Sequence, residues 1–225
     1  LLGLAMLLSK QPITKGKVIL LFQPSEENGM GAKAVLDASV FKNITIDYSY
    51  ALHNLPGYPL HQIVLRSNEF TANVKSIIVK LQGKTAHAAE PEKGINPSAA
   101  IAKLLQYADQ ITHNNPAAKD FFLATPVYAH MGELAYGVSA GYGEVHFTIR
   151  CWSARLMEEK STALTNYIHQ ICKAHQIKFE ITWTQEFSAT INHKKAVEKI
   201  IDAANHYNYK ISKPTYPFKW GEDFG

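Results

Sequence analysis

Cysteine is scarce. Cys151 and Cys172 are the only two in 225 residues, far apart and in no metal-like spacing. They provide no disulfide framework, and such usage suits a reducing compartment, so a cytoplasmic location is expected. Charge is thin as well, with 19% charged residues and a net charge of +4 spread along the chain. No stretch joins dense Lys/Arg to interleaved aromatics, which argues against nucleic acid as a partner. Long hydrophobic runs are also absent, so no membrane partner is expected. The opening "LLGLAMLLSK" is too short to span a bilayer. It has neither a basic flank nor a small-residue cleavage site and reads as the apolar end of a helix. There is no initiator Met, and the last residues "KWGEDFG" stop mid-motif. The sequence therefore reads as an internal piece of a longer protein.

What is present is a soluble-type composition, 46% hydrophobic, with ample material for a packed core. Residues 17–24, "KVILLFQP", form a short continuous apolar run ended by Pro24, the pattern of a strand covered on both faces. "GAKAVLDASVF" has helical spacing, and "IDYSYALHN" returns to strand character. Strand, helix, strand implies a βαβ unit with a parallel sheet, in which binding groups collect beyond the carboxyl ends of strands. From about residue 70 the texture changes. "TANVKSIIVKLQG", "TPVYAHMGEL", "YGEVHFTIRCW" and "KFEITWTQEF" read as strands, and "NPSAAIAKLLQYADQITH" and "ARLMEEKSTALTNYIHQICKAHQ" as helices. The order β-α-β-β-α-β is the split βαβ, or ferredoxin-like, arrangement with two helices on one face of a sheet. A further helix follows at "HKKAVEKIIDAANHYN". The fold class expected is α/β, with a parallel-type sheet interrupted by a compact α+β insert. Its divisions are 1–69, 70–186 and 187–225.

Few residues stand out as chemical. Glu26 and Glu27 are adjacent in "LLFQPSEENGMG", just past the predicted strand. A Glu-Glu pair in a turn is usually solvated surface. A hydrolytic metal site, however, needs one carboxylate to hold the ion and another to take a proton from water. His53 in "ALHNLPG" also follows an apolar run. A lone histidine there is more often structural, but its shared sheet edge makes a metal role competitive, and zinc, manganese and cobalt accept such ligands. His87 sits in a loop between the first strand and first helix of the insert, where functional side chains gather. On "GEVHFTIRCW" strand alternation puts His146, Thr148 and Arg150 on one face. Arg150 could pair a substrate carboxylate, or simply be an exposed salt-bridging residue.

"LLFQPSEENGMGAKAVL", "ALHNLPG", "VKLQGKTAHAAEPEKGINPSAA" and "WGEDFG", in this order, resemble the zinc-dependent aminoacylase and N-acyl-amino-acid amidohydrolase family. This family includes hippurate hydrolases and the more distant carboxypeptidase G-type enzymes, and the resemblance runs end to end. It implies a metal-dependent hydrolase of a small N-acyl amino acid, using one or two divalent ions. Glu26 matches the general base, Glu27 the metal ligand beside it, and His53 a second ligand. His87 matches a histidine of the smaller domain thought to reach the substrate of a partner subunit, so the insert matches a lid and a homodimer is implied. Asn96 lies in a loop the family also uses and is taken with Arg150 as substrate-binding. Glu222 resembles a segment near the metals. The resemblance further implies a Cys-Gly-His-Asp-x-His segment before the first helix and a histidine after "EDF", neither of which falls in this sequence. The piece alone is therefore expected not to hydrolyse anything. "GVSAGYGEVHF" stands where the family has an Asn-Val-Ile-Pro-Asp-like stretch. Two other readings are a non-catalytic dimerising or ligand-binding homologue, and a related dipeptidase or succinyl-diaminopimelate-type hydrolase.

Overall fold

A computed structural model describes residues 1–225 as two compact units, Leu1–Thr45 and Ile46–Gly225. The first unit holds helices α1 (Leu2–Lys10), α2 (Gly31–Asp37) and α3 (Ser39–Lys42). Ala38 is extended, at φ −66° and ψ 134°, and divides the helical stretch predicted over 31–41 into two. The predicted strand at 17–24 is not formed, and Val18, Ile19, Leu21 and Phe22 are exposed. An apolar run becomes a strand only when its N–H and C=O groups meet a ladder partner. This run has none.

The second unit begins without regular structure through the predicted strand at 46–54, for the same reason. It continues through β1 (Ile63–Val64), β2 (Asn68–Glu69), β3 (Asn73–Gln82), β4 (Ala86–His87), α4 (Ser98–Ile111) and β5 (Phe122–Met131). Next come β6 (Val138–Ser139), β7 (Tyr142–Cys151), α5 (Ala154–Ala174) and β8 (Lys178–Phe187). It ends with β9 (Ile191–Asn192), α6 (Lys194–His206) and β10 (Ile211–Ser212). The sheets are mixed. The parallel strand pair is the short β1–β10, with Ile63 opposite Ile211. The main sheet is antiparallel, in the order β5-β7-β3-β8.

Alternation builds the main sheet. Ile77, Val79 and Leu81 of β3 and Val145, Phe147 and Ile149 of β7 are fully buried against Ala100, Leu104 and Ala108 of α4 and Leu164, Ile168 and Ile171 of α5. Each large apolar side chain so buried contributes roughly 1.5–3 kcal/mol. The other face of β7 carries Tyr142, Glu144, His146, Thr148 and Arg150, all half-buried. Ser153 starts α5, its hydroxyl accepting from the Leu156 N–H at 3.2 Å, a cap worth about 1 kcal/mol. Pro126 is tolerated because β5 is an edge strand, and the β5–β7 register slips there. No helix is long and apolar enough to cross a membrane.

Candidate metal and catalytic site

In the first unit, Glu26 and Glu27 occupy a single 3₁₀ turn, Glu26–Asn28. Ser25 enters it at φ 60° and Gly29 leaves it at φ 68°. The turn closes through the Gly29 N–H to the Glu26 carbonyl at 2.9 Å, and the Asn28 side chain accepts from the Met30 N–H at 3.0 Å. A Cβ on Gly31 would lie 2.0 Å from the Pro24 carbonyl oxygen, so only glycine permits the chain to double back into α2. Successive side chains on a 3₁₀ turn diverge by about 120°. Glu26 is half-buried and Glu27 is exposed.

In the second unit, His53 and Glu222, distant in sequence, meet. His53 Nε2 lies 3.3 Å from Glu222 Oε1. On the other side of the ring, Nδ1 is 2.6 Å from the Asn54 carbonyl oxygen. A carbonyl oxygen only accepts, so Nδ1 carries the proton and Nε2 of the neutral ring presents a lone pair. The ring also rests 5.0 Å from Trp220, which stacks on Phe218 at 5.1 Å; both meet Phe70 edge-on. The 218–222 segment is pinned by the Phe218 N–H to the Phe70 carbonyl and the Ala72 N–H to the Trp220 carbonyl. A Cβ on Gly221 would strike Val74 at 2.7 Å and Phe187 at 3.0 Å. Glycine thus lets the segment lie on the end of the main sheet just before Glu222.

Arg150 sits under this segment, its Nη1 donating to the Lys219 carbonyl at 2.9 Å. Burial pushes its guanidinium pKa down from the ordinary value. At the far end of β3, His87 is held by the antiparallel pairing of β4 with β6, His87 opposite Val138. Its Nδ1 accepts the Ala89 backbone N–H at 3.1 Å, so the proton of the neutral ring resides on Nε2, in an exposed side chain. Asn96 supports the same hairpin. It donates to the Ser139 hydroxyl at 3.0 Å and accepts from the Ser98 N–H at 2.9 Å, at the start of α4. Asn96 therefore spends both ends of its amide holding the hairpin and the helix.

Sequence reasoning passed over the cluster on the open face of β7. Glu144 accepts from the Tyr142 hydroxyl at 2.5 Å and from His146 Nε2 at 2.6 Å, with Tyr128 4.8 Å from the imidazole. The tyrosine bond, then the histidine bond, hold the Glu144 carboxyl below its usual range. The i, i+2 spacing of Tyr142, Glu144 and His146 was the available signal. Within neither unit do three or more His, Cys, Asp or Glu side chains gather in a metal-like group.

The chain is α/β with mixed sheets and carries carboxylates and imidazoles on tight turns and sheet ends. It belongs to Peptidase family M20/M25/M40, whose model matches residues 1–225. The N-acetyl-L-cysteine deacetylase of Bacillus subtilis (strain 168) is 28% identical over 225 residues, covering 100% of this chain and 53% of that protein. The N-acetyldiaminopimelate deacetylase of Geobacillus sp. (strain WCH70) is 27% identical over 224 residues, covering 100% of this chain and 59% of that one. A Bacillus subtilis structure described as a dinuclear metal binding peptidase from the M20 family superposes with a TM-score of 0.74 at 22% identity, over 99% of this chain and 56% of that one. This last likeness establishes the fold. The chain spans about half the length of the curated relatives it matches.

Proposed function

We propose that the complete protein is a metal-dependent amidohydrolase that cuts the amide bond of a small N-acyl amino acid. The observation carrying this reading is the family match over the whole chain, with the Glu-Glu turn, His53 and the His-Ala-Ala hairpin in their expected order. The relatives named as deacetylases of N-acetyl-cysteine and N-acetyldiaminopimelate support the substrate class. In the first unit Glu26 is the general base and Glu27 a metal ligand; in the second, His53 is a metal ligand. Imidazole nitrogen and carboxylate oxygen suit zinc, with manganese or cobalt as alternatives, and two ions are expected. When bound, a divalent cation polarises the scissile carbonyl and lowers the pKa of water. Glu26 takes the proton released by water and delivers it to the departing amine, one carboxylate serving both steps. His87, protonated on Nε2, donates to the developing oxyanion. Arg150, with Nη1 engaged by Lys219, offers its Nε–Nη2 edge to a substrate carboxylate. Asn96 steadies the hairpin that carries His87.

The main sheet and its two helices serve in this reading as a dimerising lid. The length of β3 supports it. Gly221 packs at Val74, whereas the His87 hairpin departs beyond Gln82. Eight residue steps separate these two positions, roughly 27 Å of extended strand. The hairpin carrying His87 thus leaves the end of β3 opposite the one where Gly221 packs, which suits it to serve a second copy rather than its own chain. Glu26→Gln in the complete protein tests the chemistry. Metal content by elemental analysis should be unchanged and turnover should fall roughly 10²–10⁴-fold. Undiminished turnover would reject Glu26 as the base.

A further inference from the structure

We propose that the cavity between the β3–β4 turn and the β5–β6 loop is a binding site for the zwitterionic head of an α-amino acid. It stands apart from the amidohydrolase reading and uses none of the residues given a catalytic or metal role there. The cavity holds about 460 Å³, within the roughly 300–1,000 Å³ of small-molecule sites. Its walls are short segments held by backbone bonds. The Gly83 N–H donates to the Gly141 carbonyl at 2.8 Å, and the Gly132 N–H to the Tyr142 carbonyl at 2.9 Å. A Cβ on Gly141 would lie 2.4 Å from the Thr85 nitrogen, and Gly132 sits at φ 60°. Glycine lets these segments take their places, and the small side chains of Ala135 and Ala140 leave the space between them open.

The charges in the walls choose the occupant. Lys84 and Glu133 both line the cavity, yet neither belongs to an ion pair. Opposite charges that share one cavity without touching leave a gap between them. A simple anion drawn to Lys84 meets the Glu133 carboxylate, and a simple cation drawn to Glu133 meets the Lys84 ammonium. Each gains one attraction and suffers one repulsion. A molecule with both signs gains twice, its carboxylate on Lys84 and its ammonium on Glu133. The α-amino acid head is a compact group of that kind, with its two charges on adjacent carbons. The neutral groups suit it too. Tyr142, also in the wall, spends its O–H on Glu144 at 2.5 Å. Any further bond at that oxygen is one it accepts, as an ammonium requires. His146, bound to the same carboxylate at 2.6 Å, holds Glu144 in place, so the cluster on the open face of β7 fixes this wall. On the Lys84 side, the Thr85 hydroxyl can donate to a carboxylate. His130 completes the lining with a ring able to donate or accept.

The test is ¹H–¹⁵N spectroscopy of the complete protein, following the amides of Gly83, Lys84, Gly132, Glu133 and Gly141 during titration. The probes are L-alanine, a free head; Nε-acetyl-L-lysine, the same head on an amide-bearing arm; and acetate and methylamine, each with one sign only. L-alanine should shift these amides saturably, with acetate and methylamine binding roughly tenfold more weakly or worse. If Nε-acetyl-L-lysine shifts them and L-alanine does not, the site stands, and the head enters as part of a larger amide rather than as a free amino acid. Lys84→Ala and Glu133→Gln should each weaken the better probe roughly tenfold or more. Both side chains are exposed, so amides elsewhere should stay unmoved, which checks the fold. Acetate or methylamine binding as tightly as the better probe would overturn the inference. So would amides that neither amino acid shifts, or either variant binding like the unaltered protein. None of these failures touches the amidohydrolase reading, which Glu26→Gln tests separately.

Discussion

His87 and His53 show how one backbone atom sets what an imidazole can do. At His53 the Nδ1–H donates to a carbonyl, which leaves Nε2 of the neutral ring as a donor of electrons, the form a cation needs. At His87 a backbone N–H occupies Nδ1 and leaves Nε2–H, the form an oxyanion needs. The second case makes a prediction. Ala89→Pro removes the N–H that fixes the ring while leaving the imidazole itself intact. A net hydrogen bond of about 0.5–1.5 kcal/mol corresponds to a roughly two- to tenfold change in tautomer ratio. Long-range ¹H–¹⁵N spectra of the unaltered chain should show His87 chiefly as the Nε2–H form, and the variant should shift toward Nδ1–H by that factor. An unaltered ratio would mean that Ala89 does not set the tautomer.

On β7, alternation does two jobs at once, burying Val145, Phe147 and Ile149 and lining the other face with Tyr142, Glu144 and His146. The hydrogen bonds from Tyr142 and His146 favour the ionised carboxylate, so they stabilise the fold at pH values above the ordinary glutamate range. That stabilisation is lost as acid carries the pH down through the depressed Glu144 value. Tyr142 has the opposite sign. Its bond to Glu144 and its burial push it up to about 12, so its contribution is full below the ordinary value of 10.0 and lost as pH rises through about 12. Glu144→Gln should cost about 1 kcal/mol at neutral pH, lowering the melting temperature by about 2–4 °C. The difference from the unaltered chain should vanish in acid, as melting curves across pH would show. Elements of this kind were legible in the sequence because their signal is local. The predicted strand over 178–187 and the helices beginning near Ser98 and Ala154 lie where periodicity put them. The runs at 17–24 and 46–54 misled because a strand depends on a partner that its own residues cannot specify. The meeting of His53 with Glu222 was implied by the resemblance alone and not by local pattern, for a related reason: it depends on Gly221 lying against Val74 and Phe187, a contact between segments with no shared pattern.

For the molecule as a whole, the governing quantity is the length of β3. It carries the His87 hairpin at one end and the Trp220–Glu222 segment at the other, roughly 27 Å apart. If turnover needs both ends, the proposed dimer must bring one copy's hairpin to the other copy's metal ligands. A complementation experiment separates that arrangement from action within one chain. Complete protein carrying His87→Ala and complete protein carrying Glu26→Gln are each expected to be nearly inactive. Mixed and allowed to exchange subunits, half the dimers pair one of each. In every mixed dimer the site with an intact Glu26 receives an intact His87 from the partner, and the other site lacks both. The mixture should therefore recover about a quarter of unaltered turnover, the statistical value for a two-fold dimer. Action within one chain leaves every site of the mixed dimer short of one residue. In that case the mixture stays as inactive as its components, and the long strand has no part in bringing His87 to a partner's substrate.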